Sequence, residues 1–130
     1  MIAPHMDDES LGCGGLLAKY AEDCLVVTMT DSGGVRLAEQ RAAFEALGIT
    51  RFVNLGFTDG DLPQLMTACI AALDEVLAEF APDEVYLPFP SLHQDHIATY
   101  EAGMRSARIS MSTGHWFPPS VLVYDISVYD

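Results

Sequence analysis

Residues 66–90 read MTACIAALDEVLAEFAPDEVYLPFP, a helical pattern that runs straight into a strand pattern. Met66, Cys69, Ile70, Leu73, Val76, Leu77 and Phe80 fall on one stripe of helical period, so the spacing predicts an amphipathic helix. Pro63 stands near its start and Pro82 just past its end, where proline opens and closes helices. EVYLPFP, at 84–90, is a short apolar run closed by prolines and reads as a strand.

The same alternation recurs on either side. Ile2 to Pro4 reads as the end of a strand, and Leu11 to Tyr20 as a helix with Cys13, Leu16, Leu17 and Tyr20 on one face. CLVVTMT (24–30) is a strand by its β-branched content, Arg36 to Gly48 a helix carrying Ala43, Phe44 and Leu47 with Gly48 as its stop, and RFVNL (51–55) a third strand. A helix bearing Ile97, Tyr100 and Met104 and a fifth strand, SVLVYDISVY (120–129), complete the pattern. Strands separated by helices of this length favour a parallel sheet with right-handed crossovers, an α/β doubly wound layered fold. In such sheets ligands bind outside the carboxyl ends of the strands.

Composition bounds the function. With 130 residues, half of them hydrophobic, one domain over 1–130 is expected. Six Lys and Arg against nineteen Asp and Glu give a net charge of −13, which repels phosphate backbones and anionic lipid, so nucleic acid is not an expected partner. No apolar run reaches the roughly twenty residues that cross a bilayer, and the start lacks a signal-peptide pattern, so a soluble, cytoplasmic protein is expected. Cys13, Cys24 and Cys69 form no C-x-x-C pair and read as small buried residues.

Two polar clusters, PHMDDE (4–9) and SLHQDH (91–96), each follow a strand, and the topology can bring them together. His5, Asp8 and His96 would then offer two imidazoles and a carboxylate, leaving a fourth tetrahedral position for water as in a catalytic zinc site. Asp7 is placed to take the proton of that water, His93 to stabilise an oxyanion or protonate a leaving group, and Asp95 to orient that imidazole. Plainer readings exist for each cluster. Asp7, Asp8 and Glu9 also suit the positive end of a helix dipole, and HQDH also suits a solvated turn. The GCGG run (12–15) reads as close helix packing, because its spacing fails the G-x-G-x-x-G dinucleotide pattern. His115, beside Trp116, reads as a loop residue rather than a fourth ligand. The conjunction of both clusters at strand ends favours the metal site.

APHMDDESLGCGG (3–15) closely resembles the P-H-x-D-D-E…G-x-G-G signature of the LmbE-like, or PIG-L, zinc-dependent N-deacetylases, and HQDH is similar to their H-x-D-H motif. RLAEQRAAFEALGI (36–49) and LGFTDGDL (55–62) resemble the family's intervening helix and L-G-x-x-D-G loop. The resemblance implies a Rossmann-like fold, with zinc on His5, Asp8 and His96, Asp7 as general base, and His93 assisted by Asp95. It further implies that Arg36 and Asp59 hold the sugar. The first strand is shorter than the family's, Met6 replaces a usual proline, and family chains extend well past residue 130, so a short or truncated version of the fold is expected. The expected activity is metal-dependent removal of the N-acetyl group from an N-acetylglucosamine-type sugar or glycoconjugate. Zinc stands open against other divalent ions, as does the oligomeric state. The competing expectations are a catalytically silent metal- or sugar-binding domain of the same fold and, more weakly, a nucleotide-binding domain.

Overall fold

The structure, a computed structural model, describes residues 1–109 and 116–126. Among these, five strands alternate with four α-helices: β1 (Ile2–Ala3), α1 (Asp8–Lys19), β2 (Val26–Asp31), α2 (Gly34–Leu47), β3 (Phe52–Thr58), α3 (Met66–Phe80), β4 (Glu84–Pro88), α4 (Gln94–Ser106) and β5 (Ser120–Tyr124). Every strand pairing is parallel: β1 with β2, β2 with β3, and β4 with β5. The pairings make a three-stranded sheet, β3-β2-β1, and a two-stranded one, β4-β5, and because β1 lies alongside β4 the strands follow one another in space as β3-β2-β1-β4-β5. The order reverses between β1 and β4. This is the doubly wound arrangement expected from the sequence, and its crevice opens beyond the carboxyl ends of those two strands.

Alternation along β2 assigns its two faces. Val27 and Met29 join a core with Leu62, Cys69, Leu73 and Leu77 on the α3 and α4 side, whereas Val26 joins Cys13, Leu17 and Phe44 on the α1 and α2 side. Helices therefore cover both faces, which is what makes near-continuous apolar strands such as CLVVTMT economical. On the second face Tyr124 crosses from β5 to donate its hydroxyl to the Ile2 carbonyl at 2.9 Å. Among the described residues no helix is long and apolar enough to cross a membrane.

Several boundaries differ from the sequence expectations. Pro63 lies in a 3₁₀ turn, Leu62–Leu65, that precedes α3. The fifth strand ends at Tyr124, and residues 127–130 and His115 lie outside the described residues. Tyr20, expected on the inner face of α1, is exposed at the helix end, and Cys24 is only half-buried.

The inner face of α4 needs the largest correction. Ile97 and Met104 are exposed, and the helix instead buries Ala98, Ala102 and Gly103. The reason is close approach: a Cβ at Gly103 would lie 2.3 Å from Leu87 Cδ2, so only small residues let α4 sit against β4. Gly12 of the GCGG run is similarly pressed on the Tyr124 ring, while Gly14 and Gly15 face open space. Gly103→Ala is therefore expected to destabilise the protein by about 1–3 kcal/mol, through overpacking against a fully buried leucine. Gly14→Ala should be neutral or stabilising, because it gains helix propensity and meets nothing. Thermal melts of the pair check this; equal melting temperatures would show that α4 yields.

Candidate metal centre

The loop after β1 is held tightly before it carries any chemistry. The Pro4 carbonyl accepts from both the backbone and the hydroxyl of Thr30, at 3.1 and 2.8 Å, which anchors the end of β1 to β2. Asp8 opens α1, and its Oδ2 turns back to accept the His5 amide at 3.0 Å. The His5 ring follows, with Nδ1 at 3.2 Å from the same oxygen. After β4, His93 caps α4 by accepting the Asp95 N–H at Nδ1, 3.1 Å away, so the first turn of the helix presents His93, Asp95 and His96 together.

The two strand ends meet. Asp8 Oδ2 lies 3.2 Å from His96 Nε2 as well as from His5, and the His5 ring centroid is 4.7 Å from that of His93 and 5.4 Å from that of His96. One donor atom from each of His5, Asp8 and His96 lies within 4.8 Å of the others. A second triple, His5, His93 and Asp95, meets the same distance, but its groups are engaged: Asp95 accepts two backbone amides and His93 Nδ1 accepts a third. Asp8 Oδ1, by contrast, is buried with no hydrogen-bond partner among the described residues.

The electrostatics are those of imidazoles among carboxylates. Burial opposes a charged His5, but hydrogen bonds and charges from Asp8, Asp95 and Asp59 outweigh it and raise its pKa to about 9. Burial likewise opposes the charge on Asp8, yet His5 and His96 draw its pKa down to about 2. His93 moves the other way: burial first, then the neighbouring His5 and His96, push it below the usual imidazole value. Burial and the two imidazoles therefore outweigh Asp95 and Asp59, which act in the opposite direction.

The remaining expected residues surround this centre. Asp7 follows His5 and pairs with Arg36 at 3.2 Å; Arg36 also reaches Glu39 at 3.5 Å. Asp59 Oδ1 is 3.2 Å from His5 Nε2, and its Oδ2 accepts from Ser32 at 3.3 Å. Asp95 departs from expectation. Its carboxylate faces His5 Nε2 at 3.0 Å and the amides of Gly60 and Leu62, and it meets His93 through its backbone N–H.

Glu9 was read only as a dipole partner, but it is 1% exposed, beneath the centre. Its spacing of four to Cys13 and eight to Leu17 placed it on the buried stripe, a signal present in the sequence. Burial raises its pKa to about 7, and the Asp8 charge adds to this. The folded chain therefore holds this proton at pH values where the unfolded chain has already lost it, so the contribution of Glu9 to stability falls as pH rises from about 4.5 to 7. In chelated protein, the stability of Glu9→Gln relative to wild type should rise by on the order of 3 kcal/mol across that window. Urea melts at pH 4 and pH 8 check it, and parallel profiles would refute it.

A family model described as PIG-L, GlcNAc-PI de-N-acetylase, matches residues 1–107. The chain belongs to the PIG-L family. This PIG-L chain is 30% identical to the uncharacterized deacetylase YaiS of Escherichia coli, over 99% of its own length and 78% of that protein. It is 35% identical over 80 residues to the 1D-myo-inositol 2-acetamido-2-deoxy-alpha-D-glucopyranoside deacetylase of Actinosynnema mirum, which spans 43% of this chain and 28% of that one. Among solved structures, the conserved protein TT1542 from Thermus thermophilus superposes with a TM-score of 0.80 at 25% identity, covering 98% of this chain and 71% of the other. The N,N'-diacetylchitobiose deacetylase from Pyrococcus horikoshii also has a TM-score of 0.80, at 24% identity, with 95% and 58% covered. The PIG-L match spans both polar clusters and all four α-helices.

Proposed function

We propose that this chain is a metal-dependent hydrolase that removes the acetyl group from the nitrogen of an N-acetylglucosamine-type sugar or glycoconjugate, with residues 1–130 acting as one domain. The observation that carries this is the convergence of His5, Asp8 and His96 from the ends of β1 and β4, with Asp7 beside them. Two of the similar proteins support the sugar, being named for deacetylation of an acetamido glucoside and of diacetylchitobiose. The free cysteines among the described residues suit a reducing, cytoplasmic setting.

The residues present fit a divalent ion. A wholly buried carboxylate with one orphaned oxygen, flanked by two imidazoles, is a cation's donor set, and its nitrogen-rich composition favours zinc. When bound, such an ion supplies Lewis acidity, which polarises the amide carbonyl and acidifies water. Asp7 then takes the proton of the attacking water, and that proton is the one the departing amine requires. His93 accepts the Asp95 N–H at Nδ1, so its neutral ring carries the proton on Nε2. From there it donates a hydrogen bond to the oxygen that gains charge. Arg36 and Asp59, contacting Asp7 and His5 respectively, flank the centre and are assigned to the sugar hydroxyls.

Acetate release from a panel of N-acetylated sugars, with zinc and then with chelator, tests the proposal. Release from at least one N-acetylglucosamine-type sugar, abolished by chelation, is expected. Metal binding without release from any of them would favour the silent binding domain.

A further inference from the structure

We propose that the Asp95 carboxylate is a positioning group for the substrate-facing loop at 59–62, rather than the partner of the His93 imidazole. The assignment of that loop to substrate rests on the deacetylase reading above.

Asp95 is fully buried, and each of its two oxygens accepts an amide of this loop, while Oδ2 also lies 3.0 Å from His5 Nε2. Oδ2 accepts the Gly60 N–H at 2.7 Å and Oδ1 the Leu62 N–H at 3.2 Å. Hydrogen bonds from amides to an ionised carboxylate are among the stronger ones a protein makes, and leaving either amide unmet in the interior is costly. The loop is shaped for this contact. Gly60 has φ +87°, a left-handed conformation that turns the chain between Asp59 and Asp61, and Leu62 is wholly buried in the core of the α3 face. The loop is thus pinned by a side chain at one end and by Asp95 along its backbone. Asp59 directly precedes the pinned Gly60, so the position of its carboxylate, 3.2 Å from His5 Nε2, follows from the tie to Asp95.

His93 is oriented by a different atom of Asp95. Its Nδ1 accepts the backbone N–H of Asp95, a bond that persists whatever side chain stands at 95. Asparagine at 95 would keep the volume and that backbone bond while turning one of the two acceptors into a donor, facing an amide that also donates. The loop would lose a tie, and the His93 tautomer would be kept.

The test compares the full-length wild type with Asp95→Asn, both metal-loaded, by amide hydrogen exchange and by kinetics. In the wild type the Gly60 and Leu62 amides should be protected; in the variant at least one should exchange about tenfold faster or more. The KM for an accepted N-acetylated sugar should rise more than kcat falls. In double-mutant cycles, Asp95→Asn should couple with Asp59→Ala in KM and be additive with His93→Ala. Unchanged protection of both amides, or coupling to His93→Ala in place of Asp59→Ala, would overturn the proposal. Should the variant fail to fold, exchange in the wild type alone decides: two unprotected amides refute the tie and two protected ones support it. Absence of acetate release from the wild type would defeat the deacetylase reading, yet the exchange result would still decide the loop.

Discussion

Asp7→Asn is expected to lower acetate release by about 10²–10⁴-fold while leaving bound metal unchanged, which is the range that positioned general bases contribute. Asparagine keeps the shape of the side chain but has no basic oxygen to take a proton. It does not touch the proposed donor set, because Asp7 pairs with Arg36 and the proposed donor atoms belong to His5, Asp8 and His96. Two measurements on one sample decide the matter, the metal content and the rate with a fixed sugar. Near-normal turnover would remove Asp7 from the base role, and loss of metal would move it into the donor set.

His96→Ala should have the opposite signature, with metal lost first and activity lost as a consequence. His96 is 1% exposed and contributes one of only two imidazoles in the favoured triple, so its loss leaves His5 and Asp8 alone. The fall in affinity should exceed the roughly 10–100-fold typical of residues that merely support a ligand. Competition against a chelator of known affinity measures it. Retention of wild-type affinity would shift the centre towards the triple of His5, His93 and Asp95. Because His5 is held protonated up to about pH 9 in the metal-free chain, metal uptake should also release a proton near neutrality.

The fold was legible wherever side chains carry a period. The stripe from Met66 to Phe80 became α3 with the same ends, and the β-branched run CLVVTMT became β2. The inner face of α4 was not, because Ala98, Ala102 and Gly103 are buried for their smallness, while the more hydrophobic Ile97 and Met104 are turned outward. The convergence of the two polar clusters could be anticipated, since both follow strands that adjoin the reversal of strand order. The direction of the Asp95 carboxylate could not, because besides His5 it meets main-chain amides 33 and 35 residues away that no side chain announces. The capping of α4 by His93 was equally hidden, as histidine is not among the usual capping residues.

The contact between His5 and Asp95 joins residues ninety apart in the chain, and Tyr124 closes back on Ile2 across 122. During synthesis the β1 loop leaves the ribosome long before its counterparts on α4 are made. For most of that interval His5 and Asp8 have neither His96 to complete a ligand set nor β4 to lie against. On the proposed ligand set, high-affinity metal capture by a nascent chain would therefore wait until α4 has docked, and its onset would mark the closing of long-range contacts rather than the appearance of the first motif. Free metal in the cell would then act late, as a trap for chains that have already joined their two halves.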